Sequence, residues 1–201
     1  MIKADLHIHT TYSDDSTLTP KMLLEQLVSQ SSIKVAALTD HNTTQGCKLT
    51  RQLASAYPDI LIIPGVEIST AEGDIVILGT EELPPEPWTV GGIVDFARQN
   101  DNVSIVAHPY REYGMGDTAK KYKFDAIEVL NGASSASANK SAQALARLMN
   151  LPGVAGTDAH QQEDLGKVYT EVQAGLDVEE ILKAIKKGLV KAYATKGSIH
   201  F

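Results

Sequence analysis

The chain of 201 residues suits one domain with a continuous core, spanning 1–201, and is too short for two of ordinary size. Its 43% hydrophobic and 21% charged residues exclude a disordered chain, and the net charge of −7 excludes a whole-protein clamp for nucleic acid. A single cysteine, Cys47, excludes a disulfide framework, no run approaches the roughly 18 apolar residues of a membrane span, and Met1-Ile2-Lys3-Ala4-Asp5 opens no signal sequence, so a cytoplasmic protein without a membrane partner is expected.

Along the chain, apolar runs alternate with amphipathic stretches. Strands are expected at Ile2–His9, Val35–Asp40, Ile60–Glu67, Ile75–Gly79, Val103–His108, Ala126–Leu130, Val154–Asp158 and Val168–Val172. Between them lie helical patterns at Pro20–Gln30, Thr44–Tyr57, Val90–Asn100, Ser137–Leu148 and Val178–Lys187. Met22, Leu23, Leu27 and Val28 keep helical spacing in the first of these. Asp177 before the last, and Gly188 after it, are start and stop signals. Strands separated by helices of this length make βαβ units around a parallel sheet, with Ile75–Gly79 pairing as a hairpin with the run before it. The expected fold is α/β, a distorted seven-stranded (β/α)7 barrel resembling a TIM barrel. In such barrels the chemistry gathers at the C-terminal ends of the strands.

Those ends carry five of the six histidines. Asp5, His7 and His9 alternate along the first run and would share one face. Asp40-His41, Glu67, His108-Pro109 and Asp158-Ala159-His160 close later runs. A lone strand-end histidine is usually a hydrogen-bonded residue, and Asp40 could simply cap the next helix. Five at one end of successive strands point instead to a metal site. Imidazole and carboxylate donors without thiolates suit Zn, Mn or Fe in an open site. His200, in the tail, carries no such reading.

Taken together, Asp5-Leu6-His7-Ile8-His9 with Tyr12-Ser13-Asp14, Thr39-Asp40-His41, Gly65-Val66-Glu67, Ala107-His108-Pro109 and Gly156-Thr157-Asp158-Ala159-His160 resemble the motifs of the PHP family, the polymerase and histidinol phosphatase domains. The resemblance runs from residue 2 to about residue 172. It implies a cluster of two or three divalent ions. His7, His9, Glu67 and Asp158 would hold the first; Glu67 would bridge to a second held by His108; Asp14, His41 and His160 would hold a third. Asp5 and Asp40 would orient ligand imidazoles. Two departures stand out. Many members carry a further histidine beyond the run that ends at Leu130, whereas Glu128 to Asn139 contains none, so that either Asn131 or Glu128 fills that place or the metal there binds weakly. Asp15 stands where a glycine commonly follows the motif aspartate.

Two cations that acidify water and hold a phosphoryl oxygen make phosphoester hydrolysis the natural reaction. Arg111, three residues past His108, is the first choice for a phosphate clamp, with Lys140 and Lys196 weaker choices. His41 or His160, if not held on metal, would be the acid for the leaving group. Other catalytic devices are absent: Leu53 stands where a Cys-x5-Arg loop after Cys47 needs arginine, and neither a Gly-x-Ser-x-Gly elbow nor a phosphate-binding P-loop occurs. The expected partner is a small phosphorylated substrate or phosphate. An exonuclease-like reading is disfavoured by the acidic balance, and a non-catalytic metal-binding role by the full donor set. Chain length leaves the oligomeric state open.

Overall fold

In the computed structural model, which describes residues 1–29 and 32–195, nine strands build one sheet. They are β1 (Ile2–Ile8), β2 (Val35–Leu38), β3 (Leu61–Thr70), β4 (Gly73–Leu78), β5 (Val103–Val106), β6 (Ala126–Asn131), β7 (Gly153–Gly156), β8 (Val168–Val172) and β9 (Val190–Ala194). Five helices connect them: α1 (Pro20–Ser29), α2 (Gln45–Ala54), α3 (Val90–Gln99), α4 (Ala136–Met149) and α5 (Val178–Lys186). Lys196 and His200 lie outside the described residues.

The sheet order is β7-β6-β5-β4-β3-β2-β1-β8-β9. β1, β2 and β3 run parallel, as do β5, β6 and β7. β4 is antiparallel to both neighbours, as the hairpin expectation required. The sheet curls until the segment after β7 meets the end of β1: Ile8 bridges Ala159, His7 O accepts from Asp158 N (2.8 Å), and Ala159 O accepts from His9 N (2.9 Å). The result is a nearly closed barrel of nine strands, not seven. The difference lies in the hairpin β8–β9, which adds antiparallel to the outer edge of β1. β9 escaped the sequence pattern because its five residues include Lys191 and Tyr193 and are only partly buried, as befits an edge.

Ala4, Leu6, Val35, Ala37, Ile63, Val76, Ile105, Ala107 and Val154 fill the inner cluster, against which α5 packs Ile181, Leu182 and Ile185. Outside, α1 and α2 bury Leu23, Leu24, Leu27 and Cys47 against Ile8, Ala36, Leu38 and Ile62. The helix starts follow their capping residues: Thr89, Ser135 and Asp177 accept from the backbone amides of Gly92, Ala138 and Glu180. β7 passes so close to β1 that a Cβ on Gly156 would lie 2.8 Å from both Glu128 Oε1 and His7 N, which fixes glycine there.

Cys47 is buried, with its Sγ 3.5 Å from Gly65 O, and burial pushes its thiol up to about 11. Two units above the ordinary value make the thiolate about a hundredfold scarcer at pH 8. Native protein should therefore alkylate with iodoacetamide about a hundredfold more slowly than the urea-unfolded chain, read by intact mass. Equal rates would contradict this burial.

Candidate metal centre

The barrel end carrying the C-termini of the parallel strands gathers the polar side chains. A register irregularity in β1 between Asp5 and Ile8 breaks strict alternation. Leu6 and His7 therefore both line the interior, while Asp5 turns to Thr157, accepting from its amide (2.8 Å) and hydroxyl (2.6 Å). Asp5 thus holds the loop before Asp158 and does not orient an imidazole directly. Asp40 caps no helix either. It accepts from Thr10 N (2.6 Å), Thr10 Oγ1 (2.8 Å) and Ser13 Oγ (2.9 Å). Ser13 Oγ in turn meets His9 Nδ1 (3.1 Å) and accepts from His41 N (3.0 Å). The group that orients His7 is Glu128, whose Oε1 lies 3.1 Å from Nδ1. Two ends of the cluster sit on left-handed backbone, His108 at φ 25° and Asp158 at φ 54°, a strain of the sort that accumulates at functional sites.

Four buried donors converge: His7 Nε2, His9 Nε2, Glu67 Oε2 and Asp158 Oδ1. The two imidazole nitrogens are 3.1 Å apart. Glu67 Oε2 lies 3.3 and 3.2 Å from them, and Asp158 Oδ1 3.5 and 3.1 Å. A tetrahedral ion with bonds of about 2.0–2.2 Å separates its donors by roughly 3.3–3.6 Å. A proton shared between the imidazoles would satisfy that pair, yet Glu67 Oε2 and Asp158 Oδ1 would still receive no well-aligned hydrogen bond. Orphaned buried carboxylate oxygens are costly unless a cation answers them. The donor set fits a divalent metal.

The electrostatics agree. Burial alone would depress His7, but the carboxylates of Asp158, Glu67 and Glu128 hold it well above the usual imidazole range. His9, with burial again opposing, is raised to about 9 by Asp158 and Glu67. Against burial, the charge on His7 keeps Glu67 and Asp158 well below the usual carboxylate range, with His108 helping Glu67 and His9 helping Asp158. Asp5 is pushed up to about 7 by burial, partly offset by Thr157.

Around this core the remaining residues divide. His108 Nε2 meets Glu67 Oε1 at 2.9 Å. His41 Nδ1 lies 3.0 Å from Glu67 Oε2, and His160 Nδ1 lies 2.9 Å from Asp158 O. The Nε2 atoms of His41 and His160 face Asp15 Oδ2 at 3.5 and 3.3 Å. Asp15 is the carboxylate facing these two imidazoles, and Asp14 lines the same cleft as Asp15 and His41. Asn131 Oδ1 accepts from Ala133 N and Ser134 Oγ (both 3.0 Å), and its Nδ2 donates to Glu128 Oε2 (3.0 Å) and Asp158 Oδ2 (3.3 Å). It is a buried strut whose polar atoms are engaged within the protein. Arg111 Nη1 donates to Asp158 Oδ2 (2.5 Å), which brings the guanidinium to the rim of the centre. Lys140 is exposed on α4. Asp74, which the strand-end rule overlooked, belongs to a second donor group with Glu67 and His108. Burial raises its carboxyl, and the charge of Glu67 adds to the rise.

A cleft of 440 Å³ opens over the centre between Asp15, His41, Asp74, Arg111, Glu112 and Tyr113. A larger groove, 630 Å³, lies between α4 and α5 beside Arg147, Lys186 and Lys187 and contains none of the donors. Among the described residues, no helix is long and apolar enough to cross a membrane.

An α/β barrel with histidine and carboxylate donors clustered at one mouth defines a class of barrel proteins with a candidate metal centre. The comparisons make that class specific. An uncharacterized protein of Methanocaldococcus jannaschii is 32% identical over 142 residues, 65% of this chain and 82% of that protein. A phosphoribosyl 1,2-cyclic phosphate 1,2-diphosphodiesterase of Eggerthella lenta is 34% identical over 87 residues, 40% of this chain and 32% of the relative. A 5'-3' exoribonuclease of Escherichia coli is 45% identical over 67 residues, 33% of this chain and 22% of the relative. PsfC from Pseudomonas syringae shares the fold, with a TM-score of 0.70 at 16% identity over 98% of this chain and 93% of that one. A family model described as PHP-associated matches residues 136–190. The chain belongs to the PHP family.

Proposed function

We propose that the chain hydrolyses a small phosphorylated molecule, a phosphomonoester or phosphodiester, at a centre of two or three divalent ions drawn from Mn, Zn and Fe. The observation that carries this reading is the convergence of His7, His9, Glu67 and Asp158, with Arg111 at the edge of the same cleft. His7, His9, Glu67 and Asp158 would hold the first ion, Glu67 and His108 would contribute to a second, and His41 and His160, facing Asp15, would contribute to a third. When bound, such ions supply Lewis acidity toward a phosphoryl oxygen and acidify water.

The protein's own groups do the rest. Asp5 fixes Thr157, Glu128 fixes His7, and Ser13 fixes His9, so the donors are held before substrate arrives. Arg111 presents a guanidinium to phosphate oxygens while Asp158 steadies one of its nitrogens. Where no third ion is held, His41 or His160, both partly exposed at the mouth, would give a leaving oxygen its proton.

Arg111→Ala is expected to lower kcat/KM by about 10–100-fold, the worth of one charge-assisted hydrogen bond, chiefly through KM. Unchanged steady-state kinetics would return Arg111 to a structural pairing with Asp158.

The likeness to the exoribonuclease favours a second reading, a nuclease on single-stranded nucleic acid. Against it, Asp14, Asp15, Asp74 and Glu112 surround the clefts and would repel a long polyanion. Release of p-nitrophenol from mono- and bis-p-nitrophenyl phosphate, with and without Mn, tests the first reading, and release of nucleotides from labelled oligonucleotides tests the second. Metal-dependent turnover of either ester supports a small-molecule phosphoesterase. Turnover of oligonucleotides alone would replace it with the nuclease, and ion binding without turnover of any of these would make the centre a binding site.

A further inference from the structure

We propose that Asp74 is the third donor of a second cation site beside Glu67 and His108, a carboxylate serving where the chain offers no further imidazole; this rests on the metal-dependent reading above.

Three observations converge on it. The first is register. In the β3–β4 hairpin Ser69 stands opposite Asp74 and Glu67 opposite Val76, without a shift between them. Opposite residues of an antiparallel pair share a face, and so do residues two apart. Val76 packs in the inner cluster, so Asp74 and Glu67 both belong to the inner face. The left-handed backbone at His108 completes the group, and one donor atom from each of Glu67, Asp74 and His108 lies within 4.8 Å of the others.

The second is the state of the alternatives. Glu128 spends Oε1 on His7 Nδ1, and its Oε2 accepts from His108 N (2.8 Å) and Asn131 Nδ2 (3.0 Å). Asn131 is engaged at both ends of its amide. Neither has a free donor for an ion. Asp74 takes a side-chain hydrogen bond from Ser69, its partner across the hairpin, which leaves carboxylate lone pairs for an ion, and the hydrogen bond to β5 near it uses its backbone oxygen, which accepts from Ala107 N (3.3 Å).

The third is access. Asp74 is half-buried and lines the open cleft beside Arg111, so an ion there could enter from solvent and meet substrate. Two carboxylates and one imidazole form a harder donor set than the first site's. They suit Mn²⁺ better than a histidine-rich site would.

The test is an ion count that needs no turnover. Metal-depleted wild type, Asp74→Asn and Asp74→His are dialysed against Mn²⁺ alone and bound metal is measured by mass spectrometry. Asp74→Asn, an isosteric change that spares the backbone pairing, should lose one equivalent or bind it at least about tenfold more weakly. The remaining equivalents should keep the wild-type affinity. Asp74→His should retain the equivalent and, in competition, shift its preference from Mn²⁺ toward Zn²⁺. Asp74→Asn binding as many ions as wild type, at the same affinity, would overturn the inference. So would Asp74→His behaving as Asp74→Asn does, since that would reduce Asp74 to a neighbouring charge. Wild type that binds no Mn²⁺, Zn²⁺ or Fe²⁺ would instead overturn the metal-dependent reading itself.

Discussion

Exchanging Glu67 for glutamine is expected to cut phosphoester turnover by about a thousandfold while leaving the chain folded. Glu67 is fully buried at the meeting point of the cluster, with Oε2 near His7, His9 and His41 and Oε1 on His108. A carboxylate in that position can serve two cations at once, and an amide offers one neutral oxygen. Cation stabilisation of a phosphoryl transition state amounts to several kcal/mol, and about 4 kcal/mol is a factor of roughly a thousand. The fold should survive because glutamine has the same shape and its Oε1 can still accept from His108. Losing the charge also lets the neighbouring imidazoles become neutral, so no cation is stranded in the interior. The measurements are kcat on the preferred p-nitrophenyl ester and the thermal midpoint of the same preparation. Full turnover in Glu67→Gln would remove Glu67 from the centre, whereas a collapse of the midpoint would mean that its role is structural.

Stripping the ions should have the second large effect, on stability as well as on rate. An ion that binds only the folded chain stabilises it by about 4 kcal/mol when present at a thousand times its dissociation constant. For a chain of this size that corresponds to a rise in Tm of roughly 8–16 °C. Chelation followed by dialysis should therefore abolish turnover and lower the midpoint by about that amount, with both restored by Mn²⁺ or Zn²⁺. The physical source is the pair of carboxylate oxygens, Glu67 Oε2 and Asp158 Oδ1, buried without hydrogen-bond partners. A midpoint indifferent to chelator and metal would contradict a resident ion.

Much of this centre is legible in the sequence because period-two strands end in chemistry. His7, His9, Glu67, His108 and Asp158 sit at the ends of apolar runs, and the folded barrel brings all five together. Several residues read differently once the chain is folded. Asp74 stands at the start of β4, a position the rule of C-terminal strand ends passes over. β4 runs antiparallel, so its first residues, not its last, reach the mouth. Asp15, next to the sequence candidate Asp14, is the carboxylate facing His41 and His160, and spacing alone does not distinguish two adjacent carboxylates in a turn. Asn131 and Glu128 were candidate donors for want of a histidine, yet both are committed to hydrogen bonds across β6 and its neighbours. Such commitments depend on long-range partners that no local pattern encodes. Asp5 is a further case: alternation puts it with His7, and the irregularity in β1 takes it away.

The span of chain enclosed by the donors has a kinetic consequence. His7 comes from the first strand and His9 directly follows it, and Asp158 follows the seventh, so one ion would fasten residues about 150 positions apart. Joining the ends of so long a loop carries a large entropic cost, and a bond formed there acts as a crosslink against the opening of the barrel. It also requires β1 and the segment after β7 to have met before all four donors are together. Ion capture would therefore come late in folding, and the bound ion would act as a latch whose loss precedes global unfolding.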